Sequence, residues 1–149
     1  MRIHSHCLDR PLVESAGGHL PRHGPTVLAV TGDIDRLDAA DFATDLALAV
    51  TDAVRTLVVD LTHIGSVESA AGQPLVDALL DAQSRADRSG VALLLVPDEA
   101  TWRHAMNLPG GPTSHFRCHA TVREAVEARA AELSAHANLD YGVRRRPGD

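Results

Sequence analysis

A serine at position 69 stands between a short apolar run and a stretch with helical spacing. The run Leu57-Val58-Val59 is rich in β-branched residues and predicts a buried strand. Leu75 and Leu79 lie four positions apart and predict a helix with one apolar face. The hydroxyl of Ser69 can therefore serve as a helix N-cap for unpaired backbone N–H groups, or it can be displayed for chemical modification.

Pro74 leaves two starting points open for this helix. If Ser69 is the N-cap, Pro74 is the fifth helical position, where it lacks an N–H group and crowds the preceding turn. Either the first turn is irregular, or the helix begins at Pro74 itself with Gln73 before it. In the second case Ser69 lies in a loop, exposed but displaced from the helix dipole.

Asp60, His63 and Ser69 are the acid, base and nucleophile types of a hydrolase triad. Their spacing disfavours that chemistry, because no Gly-x-Ser-x-Gly elbow surrounds Ser69 and His63 lies only six residues before it. A nucleotide-binding module has little support either, since no Walker loop or Gly-x-Gly-x-x-Gly follows a strand. The residues therefore give little support to hydrolase chemistry or to nucleotide binding.

Two clusters of metal-ligating residue types occur, one at His4, His6 and Cys7 and one at Asp33, Asp35 and Asp38. The first has no second ligand pair at suitable spacing, so we expect a solvated tail. The second lacks the twelve-residue calcium-loop pattern and its terminal glutamate, so we expect a solvated turn. No metal site and no cofactor is predicted.

The composition favours one globular domain and disfavours nucleic-acid binding. A chain of 149 residues with 44% hydrophobic residues can bury a single core, and with 3% aromatics that core must consist mainly of Val, Leu and Ala. The net charge is −6, all 14 basic residues are arginine, and no extended basic patch precedes the last few residues. Nucleic-acid binders carry a clustered cationic surface, so no direct nucleic-acid partner is predicted.

The predicted compartment is the cytoplasm. Cys7 and Cys118 are too few for a disulfide framework and show no Cys-x-x-Cys spacing, which favours a reducing setting. No apolar run approaches the roughly 20 residues that span a bilayer, and residues 1–10 lack the apolar core of a signal peptide. We therefore expect no membrane partner.

Strand and helix patterns alternate along the chain and predict an α/β fold with a mostly parallel central sheet of four to five strands and about four helices. The predicted strands are 26–31, 55–61, 91–96 and a weaker 115–118. Four helices are predicted. The first has Phe42, Leu46 and Val50 on its apolar face, and the second spans 70–88 and ends at Gly90. The third and the fourth begin after the capping residues Asp98 and Thr121. Residues 1–24 form an N-terminal extension in which Leu12 and Val13 are the candidates for an edge strand. Residues 25–136 form the domain, and 137–149 are expected to be a disordered tail.

Three segments of the chain resemble STAS domains, the fold of anti-sigma factor antagonists. Gly32-Asp33-Ile34-Asp35 stands in the place of the family's G-E-L/I-D segment, and the strand at 91–96 with the elements after it fits the remainder. Residues 58–69 resemble the V-x-D-L-S-x-V-x-F-x-D-S-S-G segment. The matching or conservatively replaced positions of that segment are Asp60, Leu61, Thr62, Ile64, Glu68 and Ser69. The resemblance covers about residues 25–133.

The resemblance implies a non-enzymatic switch. A STAS antagonist binds an anti-sigma factor that is itself a serine kinase, and it thereby frees the sigma factor. Phosphorylation of a loop serine blocks this binding, and a PP2C-type phosphatase restores it. The implied phosphoacceptor is Ser69, with Ser66 as runner-up, and the implied partner-binding residues are Asp33, Asp35, His63, Glu68 and Ser69.

Departures from the family pattern keep a second function open. Family members usually carry glycine two residues after the phosphoacceptor, whereas here Ala71 holds that position and Gly72 comes one later. His63 and the pair Gly65-Ser66 also replace commoner loop residues. These departures equally fit a STAS protein that acts as a phosphorylation-independent scaffold or interaction module in a signalling complex.

Overall fold

A computed structural model describes residues 1–8 and 24–144, with side chains through residue 139, and the strands in these ranges form a five-stranded sheet. The strands lie side by side in chain order. The first pair is antiparallel, and every later pair is parallel. The strands are β1 (Arg2–Cys7), β2 (Thr26–Ile34), β3 (Thr56–Val67), β4 (Ala92–Val96) and β5 (Arg117–Cys118).

Helices cover both faces of the sheet. On one face Phe42 of the first helix and Leu75 of the second share the larger core, and on the other Ala125 of the fourth helix packs near Val58. A short 3₁₀ turn, Pro112–Ser114, precedes β5. The helices of the described ranges are α1 (Arg36–Asp52), α2 (Ser69–Ser89), α3 (Glu99–Ala105) and α4 (Val122–Arg144).

The strand β4, which lies in the predicted strand at 91–96, is covered on both faces of the sheet. Leu93 and Leu95 belong to the larger core, while Leu94 and Val96 belong to the smaller core beneath α4. Adjacent residues of a strand point to opposite faces, so a continuously apolar run is needed where both faces are dry. The predicted α/β class with a mostly parallel sheet and four helices is confirmed.

Three predicted helix boundaries are confirmed by their capping contacts. The carboxylate of Asp98 accepts hydrogen bonds from the N–H groups of residues 100 and 101, at 3.1 and 3.3 Å. Gly90 ends α2 with a φ of +71°, the left-handed conformation that glycine adopts without steric cost. Oγ1 of Thr121 accepts a hydrogen bond of 3.1 Å from the N–H of Glu124 at the start of α4.

The strand β3 is longer than predicted. The sequence indicated a strand ending near residue 61 and a loop after it, but β3 continues to Val67. The reason is that β2 does not stop at Gly32. It bends there, with a φ of +88°, and continues to Ile34, so that Ile34 pairs with Val67 across register shifts. The two extended strands thus bring the acidic turn beside Ser69.

The N-terminal residues were expected to form a solvated tail, and this prediction is wrong for residues 2–7. They form β1, which pairs with β2 from Arg2 opposite Thr31 to Cys7 opposite Thr26. Backbone hydrogen bonds stabilise such an edge strand, and Ile3 is the side chain of β1 that packs against the core. The candidate edge strand at Leu12 and Val13 lies outside the described residues.

The last helix also extends beyond its predicted end. The domain was expected to finish at residue 136, whereas α4 runs to Arg144. Good helix formers such as Ala137 and Leu139 continue the pattern, and the first proline comes only at position 147. The rest of the expected tail, 145–149, lies outside the described residues. None of the helices in the described ranges is long and apolar enough to cross a membrane.

Candidate partner-binding and phosphorylation site

Ser69 is the first residue of α2, and the residue before it, Glu68, is the N-cap. Of the two roles considered for Ser69, the helix N-cap is therefore wrong, and the alternative start of the helix at Pro74 is wrong as well. The side chain of Glu68 makes no capping bond to α2, but its N–H donates to the carbonyl of Ile34 at 2.9 Å. This backbone bond fixes the start of α2 against the end of β2.

The first turn of α2 is irregular, as one of the two alternatives for Pro74 requires. The N–H of Ala71 donates to the carbonyl of Glu68 at 2.8 Å, a bond spanning three residues as in a 3₁₀ turn. Pro74 lies inside the helix with its ring exposed to solvent. Because proline has no N–H, the carbonyl of Ala70 lacks its usual helical donor, and exposure lets water replace that donor.

Ser66 and Ser69 are both exposed but differ in their contacts. Oγ of Ser66 donates a hydrogen bond to Oδ1 of Asp33 at 2.9 Å. A Cβ at Gly65 would lie 2.5 Å from the same oxygen, so the absence of a side chain there permits the contact. The hydroxyl of Ser69 makes no hydrogen bond within residues 1–8 and 24–144. Ser69 is thus the freer of the two serines.

Glu68 joins the start of α2 to the start of α1. Its Oε2 accepts a hydrogen bond of 3.2 Å from the backbone N–H of Arg36, the first residue of α1. Asp35 caps α1 through a reciprocal pair of bonds with Asp38, at 2.8 and 2.9 Å. Asp33, Asp35 and Glu68 are all exposed, and these three carboxylates are called the acidic surface.

His63 and Asp60 lie together, but they do not form a triad with Ser69. Oδ1 of the buried Asp60 accepts bonds from the N–H and the Oγ1 of Thr62, at 3.0 and 2.6 Å. Nε2 of the exposed His63 lies 3.9 Å from Oδ2 of Asp60. No hydrogen bond joins His63 to Ser69 among the described residues, so the base and the nucleophile of a hydrolase are not assembled there.

Sequence reasoning missed the contact between Gly72 and His104. The imidazole of His104, on α3, lies so close to Gly72 that a Cβ at position 72 would collide with three of its ring atoms. Gly72 is buried and helical, where glycine is normally unfavourable. A glycine inside an apolar helix pattern was the signal that another element approaches closely here. A larger residue at position 72 would therefore have to displace the imidazole of His104.

Sequence reasoning also missed Arg36 and Leu37 at the start of α1. Arg36 takes part through its backbone N–H, which no side-chain pattern can indicate. Leu37 is 79% exposed and lies beside the acidic surface in the chain. Among the described residues, no group of three His, Cys, Asp or Glu side chains is arranged to hold a metal ion.

Solved structures of anti-sigma factor antagonists share this architecture. An anti-sigma factor antagonist from Mycobacterium paratuberculosis aligns with a TM-score of 0.56 at 21% identity, over 85% of this chain and 93% of that chain. The anti-sigma factor antagonist SpoIIAA in its unphosphorylated form aligns with a TM-score of 0.50 at 14% identity, over 72% and 89%. The Bacillus cell fate determinant SpoIIAA in its phosphorylated form aligns with a TM-score of 0.52 at 16% identity, over 74% and 95%.

The chain has the STAS fold. No protein-family model matches the sequence, and no curated protein does, so the likeness lies in the three-dimensional structure at low sequence identity. The STAS-like domain predicted from Gly32-Asp33-Ile34-Asp35 and from residues 58–69 is confirmed at the level of the fold. Within this fold both segments meet at the same end of the sheet. There the C-terminal ends of β2 and β3 lie side by side, and Ile34 pairs with Val67.

Proposed function

We propose that this protein is an anti-sigma factor antagonist that binds a serine-kinase anti-sigma factor and is switched off by phosphorylation of Ser69. The observation that carries the proposal is the exposed hydroxyl of Ser69 at the first position of α2, beside the acidic surface. This hydroxyl makes no hydrogen bond with the residues that the structure describes. A kinase needs a serine whose hydroxyl is accessible and not already engaged. Ser66 meets this requirement less well, because its hydroxyl is held by Asp33.

The charge of the acidic surface supports control by phosphorylation. A phosphate brings about −1.5 to −2 charges at neutral pH. On Ser69 it would stand next to Glu68, whose carboxylate is already bound at the start of α1. Phosphorylation changes the charge and the shape of the surface around Asp33, Asp35 and Glu68, and it leaves the core of the domain unchanged. A partner that binds this surface through cationic groups would therefore be affected.

The proposed partners are therefore an anti-sigma factor with serine-kinase activity and a PP2C-type phosphatase that removes the phosphate. His63 belongs to the proposed partner surface as well, since its exposed imidazole lies on the extended end of β3. The exposure of Ser69 is consistent with access by both enzymes. The proposed role needs no cofactor and no catalytic residue on this chain.

An assay with a cognate anti-sigma factor and ATP tests the proposed switch. We expect the wild-type protein to gain the mass of one phosphate, and the Ser69→Ala variant to gain none. The matched control is Ser66→Ala, which removes the hydroxyl of a second exposed serine and should still be phosphorylated. Wild-type protein without added mass overturns the switch, and a phosphorylated Ser69→Ala variant overturns the choice of acceptor.

The second candidate is a phosphorylation-independent STAS scaffold in a signalling complex. It is favoured by the irregular start of α2 around Ala71 and Pro74, which departs from the family pattern next to the proposed acceptor. The two functions differ in their response to Ser69→Asp. A switch requires a marked loss of affinity for the anti-sigma factor, whereas a scaffold binds its partner unchanged.

A further inference from the structure

The contact between α2 and α3 places an imidazole near Ser69. The ring of His104 lies where the side chain of residue 72 would be, and Ser69 is three residues before Gly72. Residues three apart on a helix are neighbours, with Cβ atoms about 5–6 Å apart. The nearest ring atoms overlap the position that a Cβ of residue 72 would take, so they stand between about 3 and 8 Å from the Cβ of Ser69. A phosphate would lengthen the serine side chain and add three acceptor oxygens, which can span part of that distance.

The imidazole of His104 is available for such a contact. Its ring makes no hydrogen bond or ion pair within residues 1–8 and 24–144, and the side chain is half-buried against α2. The neighbouring cation on α3, Arg103, is already paired with Glu99. The charged groups that α2 contributes nearby are Glu68 before the helix and Asp77, which accepts a bond from a glutamine one turn earlier. Both are carboxylates and repel a phosphate.

We propose that the imidazole of His104 binds the phosphate carried by Ser69, so that α3 is held to α2 more firmly in the phosphorylated protein. The inference rests on the proposed phosphorylation of Ser69. A bond from an imidazole N–H to an ionised phosphate oxygen is charge-assisted and thus stronger than a bond between two neutral groups. It also offsets the repulsion from Glu68, which otherwise disfavours the doubly charged phosphate. His104 is a positioning residue for the modified serine and has no role in the transfer reaction.

The test installs phosphoserine at position 69 during translation, so its outcome does not depend on any kinase or anti-sigma factor. A ³¹P NMR titration then gives the second pKa of the phosphoserine, ordinarily about 6. A hydrogen bond donated to the charged form favours the dianion, so we expect this pKa to be about one unit lower in the wild type than in His104→Gln. Equal pKa values in the two proteins overturn the proposal.

Arg103→Gln is the matched control, because Arg103 adjoins His104 on the same helix but is paired with Glu99. This variant should keep the phosphoserine pKa of the wild type. If it raises that pKa and His104→Gln does not, the phosphate is bound by Arg103 and the proposal is wrong.

A second measurement leaves His104 unchanged and covers the case in which His104→Gln fails to fold. The imidazole resonances of His104 should move when phosphoserine replaces Ser69, while those of His136 on α4 should stay. Unchanged His104 resonances overturn the proposal. A failure of the anti-sigma factor to phosphorylate Ser69 would instead overturn the proposed function and leave this physical contact testable by itself.

Discussion

At the scale of single residues, Gly65 determines how the ends of β2 and β3 present their polar groups. The bond from Ser66 to Asp33 exists because position 65 has no side chain to displace the carboxylate. Asp33 is exposed and lies at the end of a flexible side chain, so it can rotate away at small cost. The arrangement of this part of the acidic surface therefore depends on a residue that carries no functional group.

We predict that Gly65→Ala changes binding more than stability. The added methyl group rotates Asp33 and breaks one exposed hydrogen bond, which lowers the free energy of unfolding by no more than about 1 kcal/mol. Affinity for the anti-sigma factor should fall several-fold, because Asp33 no longer faces the partner as before. Urea unfolding and calorimetric titration measure the two effects. Wild-type affinity in Gly65→Ala would remove Asp33 from the proposed partner surface.

At the scale of elements, the packing of α3 on α2 depends on Gly72. We predict that Gly72→Ala lowers the free energy of unfolding by about 1–3 kcal/mol, because its Cβ must displace the ring of His104. In a His104→Ala background the same substitution should be neutral or stabilising, since alanine is the better helix former by about 1 kcal/mol. A double-mutant cycle from urea unfolding provides this comparison. Equal losses in both backgrounds contradict the contact.

The elements predicted well from the sequence are those whose own residue types and spacing indicate their structure. Phe42, Leu46 and Val50 lie four positions apart in the sequence, and all three are on the buried face of α1. Gly90 ends α2 in the left-handed conformation that glycine adopts readily. β1 and the end of β3 escaped prediction, because their polar side chains look like loop residues and only pairing with β2 makes them strands. An edge strand depends on a partner that no local pattern reveals.

The same limit applies to the candidate site. Ser69 was singled out from its residue type and its place before a helix, whereas Glu68 and Asp35 were assigned to the site from the resemblance to STAS domains, and their roles stay predictions. The bond from Arg36 to Glu68 and the approach of His104 to Gly72 join segments far apart in the chain, so they become visible only once the fold is formed. The sequence therefore indicated which side chains could take part in chemistry, whereas their hydrogen-bond and packing contacts depend on the tertiary structure.

At the scale of the whole molecule, an ion-pair network joins α4 to two strands of the sheet, β3 and β5. Glu132 on α4 pairs with Arg117 of β5 and with Arg129 of its own helix, and Arg129 also donates to Oγ1 of Thr56 at the start of β3, at 3.2 Å. The hydrogen bond from Arg117 lowers the pKa of Glu132 below its ordinary value, with Arg129 adding to the effect. The network connects β3 with α4 through Thr56 and Arg129, which lie 73 residues apart in the chain.

This network predicts a weak acid sensitivity. A carboxyl group whose pKa is lowered by folding stabilises the protein above its unfolded pKa, about 4.3 for glutamate, and that stabilisation is lost as the pH falls through the folded value. Glu132 is partly exposed, so we expect less than about 1 kcal/mol. Urea unfolding of the wild type and of Glu132→Gln should show a stability difference at neutral pH that vanishes in acid. A difference that persists in acid contradicts the pairing.

The central claim for the whole molecule is that phosphate on Ser69 controls the binding of an anti-sigma factor. The most direct test is a calorimetric titration of a cognate serine-kinase anti-sigma factor with two forms of this protein, one unmodified and one carrying phosphoserine at position 69. We predict binding by the unmodified form and an affinity at least about tenfold lower for the phosphorylated form, a difference of about 1.4 kcal/mol. Equal affinities of the two forms would contradict the switch.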